Sequence, residues 1–469
     1  MDEKEWSRRR LLQSGAMSAG AIALGGFLSA CGGGSDAKTA ADAATTVASG
    51  AKVPVADLDF WWWGQQNYPG QKKVYKTLLA EYEREHPGAS IKEVLQGTDE
   101  TLPAYQAAAK AKKGPDIGTM WYGAYMFPDI WKGNIAPMSD LIPKEETDHW
   151  LETKFNSYDG KIYAAGVSGD GAAIVYNKDH FRKAGLDPEN PPTTWIDLID
   201  AVKKLKAAGY IPFSIGVKDG FAGVVLMNFV IPQQAGGSPA TLLKQACSGE
   251  VAWTDPRLAN LWERLEELRG VGAFNKNATS LEYFEGKQQF DSKKASMTFT
   301  GSIPFAINSV NTLGEDKAGI MAAPDLEDKK GGFLPGMPLS QVLTPYGENM
   351  EASAALLTWL HQPKAQEIMY RESGGALMPI DNRFDYAKVD KPWLKKVYDQ
   401  VLDAMERDIP YADGIVPFDI LGEGPMKATT LSFSDGLSTA KASAMCQRAA
   451  DNWRKLNPDL VDLYAKWAI

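Results

Sequence analysis

The stretch Leu58-Asp59-Phe60-Trp61-Trp62-Trp63-Gly64 decides the fold class of this chain. Aromatic residues closed by a glycine are typical of a buried strand. Next, Val74 to Tyr82 places its apolar residues on one helical face, which predicts a helix. Two more strand signals follow, at Ile91 to Gln96 and at Asp116 to Trp121, around a second helical segment. This alternation predicts a βαβαβ unit with right-handed crossovers and a mostly parallel, helix-covered sheet.

A second part of the chain begins after Ile142, where the pattern of residues changes. Lys161 to Ala165 and Ala172 to Asn177 are predicted to be a pair of strands joined across the glycine-rich segment 166–171. These strands place a domain boundary near Gly166.

The later segments continue the α/β pattern. Thr194 is predicted to cap a helix, and Ala295 to Thr300 is predicted to be a strand that enters a helix at Ser302. A strand at Gln341 to Leu343 then returns the chain to its first domain, and the rest is predicted to be helical.

Length and composition favour two lobes. The 469 residues, 44% hydrophobic and 10% aromatic, are enough to bury more than one core. The formal net charge of −9 argues against a nucleic-acid partner. The predicted divisions are an export signal at 1–30, a lipidated cysteine and tether at 31–56, lobe 1 at 57–165, lobe 2 at 166–335, and a return to lobe 1 with hinge and C-terminal helices at 336–469.

The first residues have the layout of a secretory signal. Ser7-Arg8-Arg9-Arg10-Leu11-Leu12 precedes an apolar run from Ala16 to Leu28, which is shorter than the roughly 20 residues that span a bilayer. The arginines resemble a twin-arginine signal, and the general export route stays open. Leu28-Ser29-Ala30-Cys31 resembles the lipobox of bacterial lipoproteins. The resemblance implies an acylated Cys31 and an extracytoplasmic protein anchored to the cell membrane.

The segment from Gly32 to Lys52 is mainly small and polar, so it is predicted to be a flexible tether. The two remaining cysteines, Cys247 and Cys446, lie far apart in the sequence. Either a disulfide or two buried thiols is compatible with an exported protein of this size.

Several short motifs in this order resemble the extracellular solute-binding proteins of bacterial ABC importers, in particular the carbohydrate-binding family that includes maltose-binding proteins. The motifs are Phe60 to Gly64, Pro115-Asp116-Ile117, Asp159 to Ala164, Val175 to Lys178, Thr194-Trp195, Ala295 to Ser302 and Gly374 to Pro379. One departure is Ile303, which stands where the family often has an aromatic residue.

This resemblance implies two α/β lobes joined by hinge segments, with a ligand enclosed between them. The implied function is capture of a sugar, with the aromatic content favouring an oligosaccharide, and its delivery to the permease subunits. It also implies a monomer without a cofactor.

Ligands of open α/β sheets bind at the carboxyl ends of the strands, which selects Trp62, Trp63, Gln65, Trp121 and Tyr122. Flat rings pack on the C–H faces of sugars, and amides bond their hydroxyl groups. Because neighbouring strand residues point to opposite faces, at least one of the consecutive tryptophans belongs to the core instead.

Carboxylates supply three further candidates. Asp99 and Glu100 follow the second predicted strand, and each is either a hydroxyl acceptor or a helix cap. Asp170, within its glycine-rich segment, is either a ligand contact or a turn residue.

The second lobe supplies Phe299, Gly301 and Ser302, since a helix N-terminus presents N–H groups to ligand oxygens. Ser302 is equally a simple helix cap. Met337 and Ser340 are predicted to form the hinge-side wall of the site.

Two other classes of function are the alternatives. A secreted carbohydrate-active enzyme also combines aromatic rings with carboxylates, but no acid and nucleophile pair stands out. Ser438 to Lys441 lacks the partner motifs of penicillin-binding enzymes, and the four histidines have no metal-ligand spacing. A lipoprotein that senses sugar without transporting it has the same sequence features as an importer subunit.

Overall fold

A computed structural model describes residues 53–65, 68, 70–98, 100–151, 153–327, 331–332, 334–336, 339–406 and 414–469. The predicted export signal, Cys31 and nearly all of the tether lie outside the described residues, as do Asp99 and Met337. Within the described ranges, no helix combines the length and the apolar character needed to cross a membrane.

The first sheet begins with the predicted βαβαβ unit. Its elements are β1 (Asp57–Trp62), α1 (Gln71–Glu85), β2 (Ser90–Leu95), α2 (Thr101–Lys110) and β3 (Ile117–Met120). Both β2 and β3 pair with β1 in parallel, so the carboxyl ends of these strands meet at one edge. Phe60 and Trp62 of β1 pack on Tyr75 of α1, with ring centroids 5.3 and 4.9 Å apart.

The chain then passes from the first sheet to the second. Its elements here are α3 (Phe127–Trp131), α4 (Lys144–Thr147), β4 (Ser157–Tyr158), β5 (Lys161–Ile162), β6 (Ala164–Gly166) and β7 (Asp170–Asn177). The prediction of one hairpin from residues 161–177 is wrong: β5 pairs with β4, β6 joins the first sheet, and β7 joins the second. All eight residues of β7 are buried, as in a strand covered on both faces, so the glycines mark a crossing between sheets and not a turn.

The next part of the chain builds the second sheet and its helices. The elements are α5 (Lys178–Lys183), α6 (Trp195–Ala207), β8 (Ile211–Ser214), α7 (Phe221–Gln234), α8 (Pro239–Ser248), α9 (Pro256–Gly270), α10 (Tyr283–Asp291), β9 (Ala295–Thr300), α11 (Ile303–Leu313), β10 (Ala318–Met321) and β11 (Leu334–Gly336). The strand order of the second sheet is β10-β7-β9-β8, with β11 also paired to β7. The hydroxyl oxygen of Thr194 accepts the backbone N–H of Asp197 at 3.2 Å, which confirms the predicted cap.

The rest of the chain closes the first lobe and then covers the second. The elements are β12 (Ser340–Leu343), α12 (Met350–His361), α13 (Pro363–Ser373), α14 (Pro392–Glu406), α15 (Phe418–Leu421), a π-helical turn (Gly422–Met426), α16 (Lys427–Ser434), α17 (Thr439–Leu456) and α18 (Pro458–Ala465). Strand β12 runs antiparallel between β3 and β6. Helices α12 and α13 pack on α1, whereas α17 packs on α8 and α9 of the second lobe. The molecule is therefore the predicted two-lobed α/β protein with C-terminal helices.

Cys247 and Cys446 are buried free thiols, so of the two alternatives left by the sequence the structure has no bridge. Burial raises the pKa of the Cys247 thiol to about 12 and also raises that of Cys446. Both side chains act as small apolar core residues.

Candidate ligand-binding site

The end of β1 is shaped by a glycine that the backbone requires. Gly64 has a φ of 110°, and a Cβ at this position would lie 2.6 Å from Cδ1 of Leu339 and 3.0 Å from the side-chain oxygen of Gln71. The chain therefore turns here in a conformation that favours glycine. This turn brings the start of α1 against the residue that precedes β12.

A cavity of about 20 Å³ lies between the lobes, next to this turn. Its volume is enough for about one water molecule. The residues that line it come from the first lobe, the second lobe and the crossings: five are polar (Tyr68, Gln71, Ser168, Asp170, Ser302) and four are apolar (Val167, Pro304, Leu339, Leu377). The structure thus brings two predicted site residues, Asp170 and Ser302, into one cavity.

The carboxylate of Asp170 is held by three donors and is only 2% exposed. Its Oδ1 accepts the backbone N–H groups of Ile303 and Gly171 at 2.6 and 2.7 Å, and its Oδ2 accepts the Ser302 hydroxyl at 3.0 Å. Asp170 therefore caps α11 from a neighbouring strand, and its negative charge faces the positive end of the helix dipole. The turn role considered for Asp170 does not describe this arrangement.

The N–H groups at the start of α11 have partners within the protein. Gly301 donates its N–H to the Tyr283 hydroxyl at 3.0 Å, and Ser302 donates its own to Oγ1 of Thr300 at 3.1 Å. With Ile303 bonded to Asp170, the expected row of open donors at this helix N-terminus is not present here. The side chain of Ser302 also makes no cap hydrogen bond to its own helix.

Among the described residues, two buried N–H groups in this part of the first lobe make no well-aligned hydrogen bond: Nε2 of Gln71, which lines the cavity, and Nε1 of Trp63, which does not. The Gln71 side chain lies close to the Tyr75 hydroxyl, where it opposes the rise in the pKa of Tyr75 that burial causes. A buried N–H left unpaired costs about 1–3 kcal/mol. An oxygen from a ligand or from water would satisfy the Gln71 amide at the cavity wall.

A row of aromatic rings runs from the end of β1 towards solvent and joins the two lobes. Trp63 lies 4.3 Å from Trp121, Trp121 lies 6.2 Å from Tyr125, and Tyr125 lies 5.8 Å from Phe418, all measured between ring centroids. Trp121 and Tyr125 are half-buried, whereas Phe418 is 53% exposed. We call these four residues the aromatic row.

Four of the predicted residues have core or framework positions. Trp62 is fully buried on Tyr75, and Phe299 stacks on Phe213 with centroids 4.3 Å apart. Tyr122 is 2% exposed, and Ser340 bonds the buried Asn156 side chain at 3.3 Å. Strand alternation predicted that at least one of the consecutive tryptophans belongs to the core, and Trp62 is such a residue.

The two other described candidates lie on the surface of the first lobe or at its edge. Gln65 is half-buried, and its side-chain oxygen accepts the N–H of Lys72 at 3.2 Å. Glu100 is exposed and makes no side-chain cap for α2. Neither lines the cavity, and Asp99 and Met337 lie outside the described residues.

Sequence reasoning missed Tyr68, Gln71, Tyr125 and Phe418. Tyr125 carried a usable signal, since it follows Trp121 by four residues in a glycine-broken aromatic segment. Gln71 is the first residue of a helix whose sequence pattern indicates only an apolar core face, and Phe418 lies almost 300 residues beyond Trp121 in the chain. Contacts over such separations exist only in the tertiary structure.

Two lobes around a cleft, with crossings between them, define a periplasmic-binding-protein-like receptor. Residues 67–367 match the family model of the bacterial extracellular solute-binding proteins, and the chain belongs to this family.

Curated relatives match part of the chain. The sn-glycerol-3-phosphate-binding periplasmic protein of Escherichia coli is 40% identical over 178 residues, which cover 34% of this chain and 37% of that protein. The protein of the same name from Agrobacterium fabrum is 31% identical over 162 residues, covering 33% of this chain and 37% of its own length. The chain thus spans well under half of the length of these relatives.

Solved structures match most of the chain. A chitin oligosaccharide binding protein has a TM-score of 0.71 at 22% identity, covering 85% of this chain and 98% of its own. A cyclic alpha-maltosyl-1,6-maltose binding protein from Arthrobacter globiformis has a TM-score of 0.64 at 20% identity, covering 85% and 99%. These similarities establish the two-lobed fold.

Proposed function

We propose that this protein captures a neutral carbohydrate between its lobes, outside the cytoplasm, and delivers it to the transmembrane subunits of an ABC importer. In this proposal it acts as a monomer, tethered to the membrane through an acylated Cys31. Family membership supports the solute-binding role, and the lipobox resemblance supports the anchor. Transport and sensing share the same binding step.

The chemical groups in the cleft are the main argument for a carbohydrate ligand. The nine residues that line the cavity include hydroxyl, phenol and amide groups and one carboxylate, and none of the nine is cationic. The outer rings of the aromatic row, Trp121, Tyr125 and Phe418, supply apolar faces that are not fully buried. Sugars need this combination, because their hydroxyl groups bond polar side chains and their C–H faces pack on rings.

sn-Glycerol-3-phosphate is the second candidate, because a relative that is 40% identical over 178 residues carries it in its name. A phosphate group is usually bound by arginine, lysine or several open N–H groups. Here the Asp170 carboxylate faces the cavity, and the N–H groups at residues 301–303 have partners in the protein. Repulsion between like charges in this buried site disfavours the phosphate.

Calorimetry on the purified protein compares both candidates. The probes are maltotriose, chitotriose, xylotriose and sn-glycerol-3-phosphate, each at low and at high salt. We expect one of the sugars to bind with little dependence on salt, and to be recovered uncleaved, which distinguishes a receptor from a glycosidase. Binding of the phosphate ester alone, weakened by salt, would replace this proposal with the second candidate.

A further inference from the structure

We propose that Phe418 is a specificity-determining residue that binds the outer end of an oligosaccharide, so that the protein selects chains of several sugar rings over single sugars. This inference rests on the proposed carbohydrate function. In this inference, the second lobe contacts the ligand at Phe418, outside the central cavity.

The first observation is the exposure of Phe418. At 53% exposed, it is one of five large hydrophobic residues that the described part of the chain leaves exposed, and it is the aromatic one among them. Single exposed apolar residues are common and need no function by themselves. Phe418 differs because its ring continues the aromatic row, 5.8 Å from Tyr125.

The second observation is how closely the backbone near Phe418 is held to the first lobe. A Cβ on Gly414 would lie 2.2 Å from the Tyr122 ring, and a Cβ on Gly123 would lie 2.1 Å from the carbonyl oxygen of Gly414. Gly123 has a φ of 61°, which favours glycine. These contacts hold α15 next to the segment that carries Trp121 and Tyr125.

The third observation is the gradient of exposure along the row. Trp63 is buried, Trp121 and Tyr125 are half-buried, and Phe418 is exposed. Neighbouring rings are tilted by 43°, 32° and 49°, so no pair in the row is stacked face to face. The occupant that fits this strip is a chain of linked rings that starts in the cleft and leaves it at Phe418.

The size of the central cavity supports a ligand that extends beyond it towards Phe418. At about 20 Å³ it does not hold a sugar ring while the lobes have this arrangement. None of the four rings of the aromatic row lines this cavity, and the exposure of the rings rises from the buried Trp63 to the exposed Phe418.

The test measures affinity against chain length. Calorimetry uses maltose to maltopentaose, and the matching chito- and xylo-oligosaccharide series, with wild type, Phe418→Ala and Phe418→Tyr. We expect Phe418→Ala to leave the shortest binding chain unaffected and to weaken the longer chains roughly 5- to 150-fold, the range for loss of one stacking ring. Phe418→Tyr, which keeps a ring, should restore most of the loss.

Leu456→Ala is the matched control, because Leu456 is an apolar side chain that is 77% exposed at the end of α17. Equal weakening of short and long chains in Phe418→Ala would mean that the residue acts on lobe closure and would overturn the inference. The inference would also be overturned if the affinity of Phe418→Ala depended on chain length in the same way as that of wild type. Binding of sn-glycerol-3-phosphate without any of the three sugar series would instead remove the proposed function itself.

Discussion

At the scale of single residues, the Asp170 carboxylate both caps a helix and lines the cavity between the lobes. The helix is α11, whose first turn begins at Ile303. A residue of this kind links the geometry of the site to the stability of the second lobe. Separating its two roles requires both a stability and an affinity measurement.

Replacing Asp170 by alanine should destabilise the protein by about 1–3 kcal/mol, because the donors at Gly171, Ser302 and Ile303 lose their acceptor in a buried place. Sugar affinity should fall as well. Urea unfolding and calorimetry measure the two effects. Asp200→Ala is the control, since Asp200 is exposed on α6 and its change should stay within about 0.5 kcal/mol. Unaltered stability of Asp170→Ala would contradict the capping role.

His180 provides a pH dependence. The imidazole is 9% exposed, stacks on Tyr210 with centroids 4.1 Å apart, and Nδ1 lies 3.1 Å from the Ser296 hydroxyl. Burial lowers its pKa, with Lys183 adding to the shift and Asp179 opposing it.

Because the pKa of His180 is lower in the folded protein, the unfolded chain takes up a proton first as the pH falls through about 6.5. The stability that the neutral His180 contributes is therefore fully present at pH 7. It is lost as the pH falls from about 6.5 towards the lowered pKa. In His180→Phe, which keeps a ring but cannot titrate, unfolding free energy should fall less between pH 7 and 5 than in wild type. Parallel pH profiles of the two proteins would show that His180 does not contribute.

At the scale of elements, the C-terminal helix α18 and the residues after it contact both lobes. The Tyr158 hydroxyl donates to the carbonyl of Leu463 at 2.9 Å, and the ring of Trp467 lies 4.5 Å from that of Phe127 in the first lobe. On the other side, the Lys244 ammonium group of α8 donates to the carbonyl of Trp467. The end of the chain is thus part of the packed structure.

Trp467→Ala should lower the unfolding free energy by about 3–5 kcal/mol, because the side chain is fully buried and its removal leaves a cavity. Thermal and urea denaturation measure the loss. Leu456→Ala, a deletion of exposed apolar surface on the preceding helix, should have little effect. Similar denaturation midpoints for both variants would show that the C-terminal segment does not stabilise the protein.

At the scale of the whole molecule, the lobes must separate for a ligand to enter. The lobes touch across the aromatic row and at Trp467, and the cavity between them holds about 20 Å³. We therefore expect a hinge motion at the crossings that opens the cleft and closes it around the ligand.

Small-angle scattering should therefore give a larger radius of gyration for the free protein than for the protein saturated with its sugar. Superimposable curves with and without a saturating ligand would rule out a clamshell motion.

The membrane anchor also belongs to this scale. Cys31→Ala should release the protein from membranes into the soluble fraction, because the acylated thiol is the predicted attachment point. Immunoblots of fractionated cells measure this, and Cys247→Ala is the control, since that thiol is buried in the second lobe. Membrane association of Cys31→Ala equal to that of wild type would disprove the lipoprotein prediction.

The sequence alone determined the elements whose signals are local. The run Leu58 to Gly64 predicted a strand, and β1 ends at Trp62, two residues before the required Gly64. Thr194 predicted a helix cap, and the order of motifs predicted the two-lobed family. Alternation, capping and turn chemistry depend on neighbours within a few residues, so they can be predicted from the sequence alone.

Only the tertiary structure decided which strand joins which sheet and which side chains meet. The residues on either side of Gly166 resemble a hairpin locally, yet β6 and β7 belong to different sheets. Asp170 finds its helix 133 residues further along the chain, and Tyr125 meets Phe418 from the opposite lobe. Such contacts follow from the burial of whole surfaces, a nonlocal effect that no short stretch of sequence carries.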